Sequence, residues 1–258
     1  MKGAGMKQIP NFFTLLNLAL GCMAIVWILQ TGEGIVNYAG EEWKIYLPEP
    51  IWLGCACIFG AAAADFLDGF AARLLKVSSP MGRELDSLAD IVSFGVAPGM
   101  VVYQLLRISY ARQPAGIDVP IAWLLPAFLL PLAAAWRLAR FNLDTEQATG
   151  FRGMPTPAVG LLVASLPFLL LYDTFSLQPW LLRPLVIYGL VGLLSWLMVS
   201  QIPLMAFKFR DASWRGNWPQ WLLLATGALA LFFLGWLAAP LVFAAYIALS
   251  LAIKRKAP

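Results

Sequence analysis

Histidine is absent from the 258 residues. That removes the commonest general base and the commonest transition-metal ligand, and leaves oxygen ligands of the kind suited to Mg²⁺ or Mn²⁺. Charge is scarce as well: 12% of the residues are charged, roughly half the share found in soluble domains. The three cysteines, Cys22, Cys55 and Cys57, all lie in apolar stretches. A Cys-x-Cys pair on a helix points its side chains to different faces, so these read as small packing residues and not as a disulfide or a metal site. No repeat or low-complexity tract is present. Between Gln220 and Ile253 there is no acidic residue and no basic one, and that stretch is expected to be lipid-facing scaffold, leaving the functional interior to the chain before it.

Apolar residues fill the space that charge vacates. They make up 60% of the chain, with a mean hydropathy of +0.74, in blocks near the roughly 20 residues that span a bilayer. The blocks fall at about 12–31, 50–76, 87–106, 119–141, 156–173, 180–205, 220–237 and 239–253. The expected fold is an all-α, polytopic membrane bundle of about eight transmembrane helices. Six of them form a core over about 9–205, and the pair at 220–253 is accessory, all within a single domain spanning 1–258. Residues 1–11 are short and mildly basic ahead of a block of full spanning length, so no cleavable signal is expected.

Sorting the basic residues by loop sets the orientation. One side collects Lys2, Lys7, Arg73, Lys76, Arg83, Arg137, Arg140, Arg152, Lys208, Arg210, Arg215, Lys254, Arg255 and Lys256, fourteen of the 18 basic residues. The other side keeps Lys44, Arg107, Arg112 and Arg183. The positive-inside rule then predicts both termini in the cytoplasm of a multi-pass protein of the inner membrane. The loop 31–49 on the outer side is long and acidic. The stretch 207–217 reads as a basic-aromatic anchor at headgroup level. Pro80 and Gly82 are expected to interrupt helix and make Val77 to Gly82 a tight turn.

Against this apolar background stands one pattern: Asp65-x2-Asp68-Gly69-x2-Ala72-Arg73-x8-Gly82-x3-Asp86-x3-Asp90. Carboxylates within a membrane-length apolar stretch are costly and rare without a partner or a task. Asp65, Asp68, Gly69, Ala72 and Arg73 recur at steps of three and four and share one helix face; Gly82, Asp86 and Asp90 share another. An antiparallel hairpin can turn the two faces together. Four carboxylates in one small volume would raise one another's pKa values unless cations offset the repulsion, and two divalent ions would also equip the site for phosphoryl displacement. Gly69, Ala72 and Gly82 leave room for a large ligand, and Arg73 can grip a diphosphate with two hydrogen bonds. On these residues the active site is expected to face the cytoplasm. A helix-end ion network with Arg73, Lys76 and Arg83, an ion-coupled transporter, and a membrane prenyltransferase with Asp-rich metal sites are the competing readings.

The same eight positions resemble, without a departure, the signature of the CDP-alcohol phosphotransferase family. The resemblance implies an integral membrane enzyme that transfers a phosphatidyl or similar group from a CDP-linked donor to an alcohol and releases CMP. It implies that Asp65, Asp68 and Asp86 ligate two metal ions, Mg²⁺ or Mn²⁺. It implies that Asp90 contacts the second metal and is the catalytic base, and that Gly69, Arg73 and the region of Ser79 hold the CDP moiety. A homodimer is implied by the family alone.

Three further stretches resemble the serine-using, integral membrane branch of that family. They are Ile9 to Asn17, Asp86 to Pro98, and Arg137-Leu-Ala-Arg140-Phe-Asn142 with Gly153-Met-Pro-Thr-Pro157; Met198 to Pro203, running on through Lys208-Phe209, is a weaker echo. The implied partners are CDP-diacylglycerol, L-serine and membrane lipids, with no nucleic acid. Another acceptor, such as glycerol 3-phosphate, is the alternative. Serine carries a carboxylate that an arginine fork suits, which makes Arg137 and Arg140, with Asn142, the expected serine-binding group; snorkelling to headgroups is the bland reading of the arginines. Asn11, Thr14 and Asn17 form a polar stripe on the first helix, read either as nucleotide contacts or as interhelical hydrogen bonds.

Overall fold

In the computed structural model, residues 8–30, 37–39, 42–44, 50–77, 79–113, 119–143, 151–173, 175–204 and 218–254 are described. Among these residues the fold is helical, apart from two short antiparallel strand pairs. The helices are α1 (Gln8–Leu29), α2 (Ile51–Leu75), α3 (Pro80–Asp90), α4 (Ala97–Ala111), α5 (Leu129–Leu143), α6 (Thr156–Tyr172), a single-turn α7 (Gln178–Leu181), α8 (Pro184–Val199), α9 (Trp218–Leu234) and α10 (Ala238–Lys254). Each apolar block of the sequence holds one of the longer helices. Among the described residues, five segments are long and apolar enough to cross a membrane: α1, α2, Pro80–Ala111, Ile121–Leu143 and Trp221–Ala252. α6 and α8 are shorter apolar helices. This is a multi-pass membrane protein. Lys2, Lys7, the stretch 207–217 and most of the loop 31–49 lie outside the described residues, as do the side chains of Lys44 and Arg152. Within that loop, β1 (Asn37–Ala39) pairs antiparallel with β2 (Glu42–Lys44).

The turn between α2 and α3 departs from the sequence expectation. α2 ends in a left-handed Lys76, φ 52°, whose N–H donates to Arg73 O at 3.2 Å while the Val77 N–H donates to Ala72 O at 3.0 Å. This is the double bond pattern of a Schellman cap. Pro80 does not interrupt helix but opens α3, because the first helical position has no N–H to satisfy. Gly82 lies inside α3, its N–H bonded to the Ser79 side chain at 2.9 Å. Ser79 is thus the N-cap of the helix that carries Asp86 and Asp90.

Past Asp90 the helix widens into a π turn, Ile91–Val96, before α4 continues it. Three helices close on this turn through small residues, as apolar helices must where backbones meet. A Cβ at Gly21 of α1 would come within 3.0 Å of Ser93 Cα, and one at Gly160 of α6 within 3.0 Å of Phe94 Cα. Ala134 of α5 meets Gly95 from the third side. The Ser93 hydroxyl also donates to Asn17 O at 2.9 Å. α1 lies along α2 and reaches α3 and the π turn as well, while α2 and α3 touch each other very little. The aspartate hairpin is therefore not a closed pair. It is a cleft whose back wall is α1.

α5 packs on the π turn and on α8. Between α5 and α8 the chain passes through β3 (Phe151–Arg152), which pairs with β4 (Pro203–Leu204). Gly153 holds φ +76°, and a Cβ there would meet Ser200 O at 2.6 Å, so glycine is required by both conformation and space. The Met154 N–H donates to Leu197 O at 3.0 Å, fixing where α6 begins.

The last two helices are docked on the rest of the bundle at one end. Trp236, in the turn between α9 and α10, stacks on Phe168 of α6 with ring centroids 4.2 Å apart and lies 5.9 Å from the Phe59 ring of α2. Most of the α9–α10 pair is open to lipid. Tyr246 and Ser250 of α10 are nevertheless buried, so this pair is not scaffold on every face.

Candidate active site

Asp65 and Asp68 come from α2, Asp86 from α3. One carboxylate oxygen from each lies within 4.8 Å of the other two. Two groups on one helix face, three apart, meet a third from the facing helix, as the spacing requires. Asp90, one turn further along α3, stands behind this trio and outside it. Neutral side-chain donors from α1 reach two of these carboxylates. The Thr14 hydroxyl donates to Asp68 Oδ2 at 2.9 Å, with Pro10 O as a second acceptor at 3.1 Å. Asn17 Nδ2 donates to Asp90 Oδ1 at 3.2 Å. The polar stripe of α1 therefore does act as interhelical hydrogen bonds at Thr14 and Asn17, and those bonds aim two of the four carboxylates. Asn11, a turn nearer the start of α1, has its Oδ1 only 3.1 Å from where a Cβ on Gly82 would lie.

The donor set fits divalent cations. It is all oxygen, on two helices, with no histidine or thiol. Asp86 Oδ1 and Asn17 Oδ1 are both buried without a hydrogen-bond partner among the described residues, and orphaned buried acceptors are what a cation satisfies. Asp65, Asp68 and Asp86 are the residues that would hold it, with Asp90 one turn further along α3.

The small residues line the cleft. The Arg73 guanidinium folds back over Gly69, its Nη1 3.6 Å from where a Cβ would sit, and Ala72 is half-buried beside it. Gly82 faces Ser79 Oγ and Asn11 Oδ1 at 3.0 and 3.1 Å. Gly82→Leu is therefore expected to fill the cleft while sparing the lipid-facing surface. A CDP-lipid should bind the variant at least about tenfold more weakly in equilibrium titration, with the melting temperature of the detergent-purified protein near wild type. Wild-type affinity would move the nucleotide elsewhere.

The arginines of α5 separate. Arg137 is buried, 8% exposed; its Nη1 donates to Thr156 Oγ1 at 3.0 Å, its Nε has no hydrogen-bond partner among the described residues, and it lies within electrostatic reach of Asp90. Arg140 is half-buried and donates from Nη1 to Val199 O at 3.1 Å, closing the last turn of α8. Asn142 Nδ2 donates to Ser87 Oγ at 3.0 Å, which ties the end of α5 to α3. Thr156 and Ser87 were not singled out by spacing or charge. Both lie within the stretches that carried the resemblance, and only the packing of α5 on α3 and α6 gives them partners.

Comparison with known proteins agrees with this arrangement. The family model described as CDP-alcohol phosphatidyltransferase matches residues 7–207. A CDP-diacylglycerol–serine O-phosphatidyltransferase of Bacillus subtilis is 38% identical over 151 residues, covering 58% of this chain and 73% of the relative. One from Helicobacter pylori is 32% identical over 201 residues, covering 77% of this chain and 72% of the relative. One from Saccharomyces cerevisiae is 39% identical over 113 residues, 40% of this chain and 37% of the relative. All four aspartates lie in the span matched by the family model, on two helices that α1 braces into one cleft. The chain belongs to the CDP-alcohol phosphatidyltransferase family.

Proposed function

We propose that this enzyme transfers the phosphatidyl group of CDP-diacylglycerol to the hydroxyl of L-serine and releases CMP. The observation that carries the reading is the order of charges through the cleft: a carboxylate trio, then Asp90, then the buried Arg137. A donor diphosphate belongs over the trio, where Arg73 and the small residues leave it space. The acceptor then lies between Asp90 and Arg137, its hydroxyl toward the carboxylate and its own carboxylate toward the guanidinium. When bound at Asp65, Asp68 and Asp86, Mg²⁺ or Mn²⁺ supplies neutralisation of the diphosphate charge. Asp90 accepts the serine proton as the new oxygen–phosphorus bond forms at the β-phosphorus and the bond to CMP breaks. Asn17 holds the Asp90 carboxylate in place for that transfer, and Thr14 does the same for Asp68. Arg137 orients the acceptor and excludes alcohols without an anion.

The wider setting is part of the proposal. Basic residues gathered at the ends of the helices that carry the cleft support cytoplasmic termini and a cytoplasm-facing site in the inner membrane. Eight helices then span or dip into the bilayer, with a catalytic core over about 9–205 in a single domain and α9–α10 as an addition to it. A homodimer rests on the resemblance alone.

The test is CMP release by purified protein given CDP-diacylglycerol and a panel of L-serine, ethanolamine, serinol and glycerol 3-phosphate. L-serine should be turned over and the acceptors without a carboxylate should be poor. Preference for glycerol 3-phosphate, or equal use of ethanolamine, would reassign the acceptor. Arg137→Leu should raise the KM for serine by about 30-fold or more, with the KM for the lipid nearly unchanged, since losing a charged contact to a buried partner is worth roughly 2–4 kcal/mol. Arg140→Leu is expected to act more weakly, because Arg140 is only half-buried and is tied to the end of α8.

A further inference from the structure

Asp90 is the last residue of α3, and the π turn Ile91–Val96 begins immediately after it. π turns are rare, occur mostly as single turns within α-helices, and recur at functional sites. This one carries Ser93. The Ser93 side chain is fully buried, and its hydroxyl donates to the main-chain oxygen of Asn17 at 2.9 Å. Asn17 is also the residue whose Nδ2 donates to Asp90 Oδ1 at 3.2 Å. One residue of α1 is thus held twice by the same short segment, through its amide by Asp90 and through its main chain by Ser93.

The fit around this loop is close. Gly21 lies one turn after Asn17 on α1, and a Cβ there would overlap Ser93 Oγ and come within 3.0 Å of Ser93 Cα. Glycine therefore lets α1 approach near enough for the hydroxyl to reach Asn17 O. The next two residues of the π turn are pinned from other helices, Phe94 by Gly160 of α6 and Gly95 by Ala134 of α5. A serine hydroxyl has one hydrogen to give, and Ser93 gives it to a carbonyl of α1. Asn17 needs that hold. It is fully buried, yet its Oδ1 has no hydrogen-bond partner among the described residues, so the protein anchors the amide there through Nδ2. An amide anchored at one end can follow the carboxylate as it rotates, unless its main chain is fixed relative to α3. A site is held to its working geometry by the contacts that lock its side chains.

We propose that Ser93 is a positioning residue for proton transfer: the π turn after Asp90 carries its hydroxyl back to Asn17, and the closed loop Asp90–Asn17–Ser93 sets the rotamer of the Asp90 carboxylate toward the acceptor hydroxyl. This rests on the reading that Asp90 takes the acceptor's proton. Ser93 acts through Asn17, on the chemical step and not on the binding of either substrate.

Ser93→Ala removes one oxygen and leaves the packing at Gly21 in place. In the purified enzyme it should lower kcat about five- to tenfold, the scale of one hydrogen bond. The KM values for CDP-diacylglycerol and L-serine should stay within about twofold, with the melting temperature close to wild type. In an Asn17→Ala background the same substitution should cost less than about twofold more, because the two residues act as one unit. With Thr14→Val, which removes the hydroxyl that serves Asp68, the two losses should multiply. A kcat within about twofold of wild type overturns the proposal, as does a fall in melting temperature with both KM values rising, which is what a packing role gives. Full multiplication with Asn17→Ala overturns it too, and so does equal coupling to Thr14→Val, which would mean that Ser93 only docks α1. If Asp90→Asn keeps kcat within about tenfold of wild type, the base reading itself falls and this proposal with it. If Asp90→Asn is impaired and Ser93→Ala is not, only the role of Ser93 falls.

Discussion

In excess EDTA, CMP release by this enzyme should fall at least about a hundredfold and return on adding Mg²⁺ or Mn²⁺. Three carboxylate oxygens within 4.8 Å of one another, with Asp86 Oδ1 buried and unpartnered, cannot remain charged together without compensating cations. Thr14 and Asn17, which donate to Asp68 and Asp90, are neutral and offset none of that charge. Asp65→Asn and Asp86→Asn should each lose turnover to a similar degree and weaken metal binding in parallel, measured by titration of the metal in detergent. The pairing matters, because a variant that lost activity with metal affinity intact would point to a role in the donor complex instead. Undiminished CMP release with EDTA in excess would end the metal reading altogether.

Asp90→Asn should lower kcat by roughly 10²–10⁴-fold, the usual worth of a positioned general base, while CDP-lipid still binds. The reason is its placement. Asp90 stands outside the trio, is buried, and accepts a hydrogen bond from Asn17. Asparagine keeps the size and one acceptor oxygen, so the π turn that follows and the contact with α1 should survive. Donor affinity and kcat must be measured on the same preparation. Turnover within about tenfold of wild type would place the base elsewhere, with Asp86 the next candidate. Asn17→Ala offers a milder companion: it frees the Asp90 carboxylate to rotate and should cost kcat without altering the KM for either substrate.

Much of the site could be read from spacing because its two halves are helical faces. Side chains three and four apart on a helix are neighbours wherever the helix lies, so the trio of Asp65, Asp68 and Asp86 needed only that α2 and α3 face one another. The same logic exposed Asn11, Thr14 and Asn17 as one stripe. Spacing did not say what that stripe would bond. The partners Asp68 and Asp90 are 54 and 73 residues away, and that choice is made by α1 lying across both helices. Pro80 misled for a different reason: a proline that breaks a helix interior is well suited to its first turn, and only the Ser79 cap and the Schellman end of α2 decide which applies.

By itself, the sequence determined that this chain lives in a membrane, because blocks of apolar residues of spanning length leave a water-soluble fold no surface to present. It determined a two-helix carboxylate site, because helical periodicity is local and needs no partner to be drawn. The tertiary structure alone decided three things. It opened the aspartate hairpin into a cleft by putting α1 behind it. It divided Arg137 from Arg140, burying one beside Thr156 and spending a donor of the other on Val199 O. And it turned Tyr246 of the last helix inward, through a stack of Trp236 on Phe168. In each case the deciding contact joins residues far apart in the chain, and in an apolar medium it is close packing and the satisfaction of scarce polar groups, not hydrophobicity, that selects which helix faces meet.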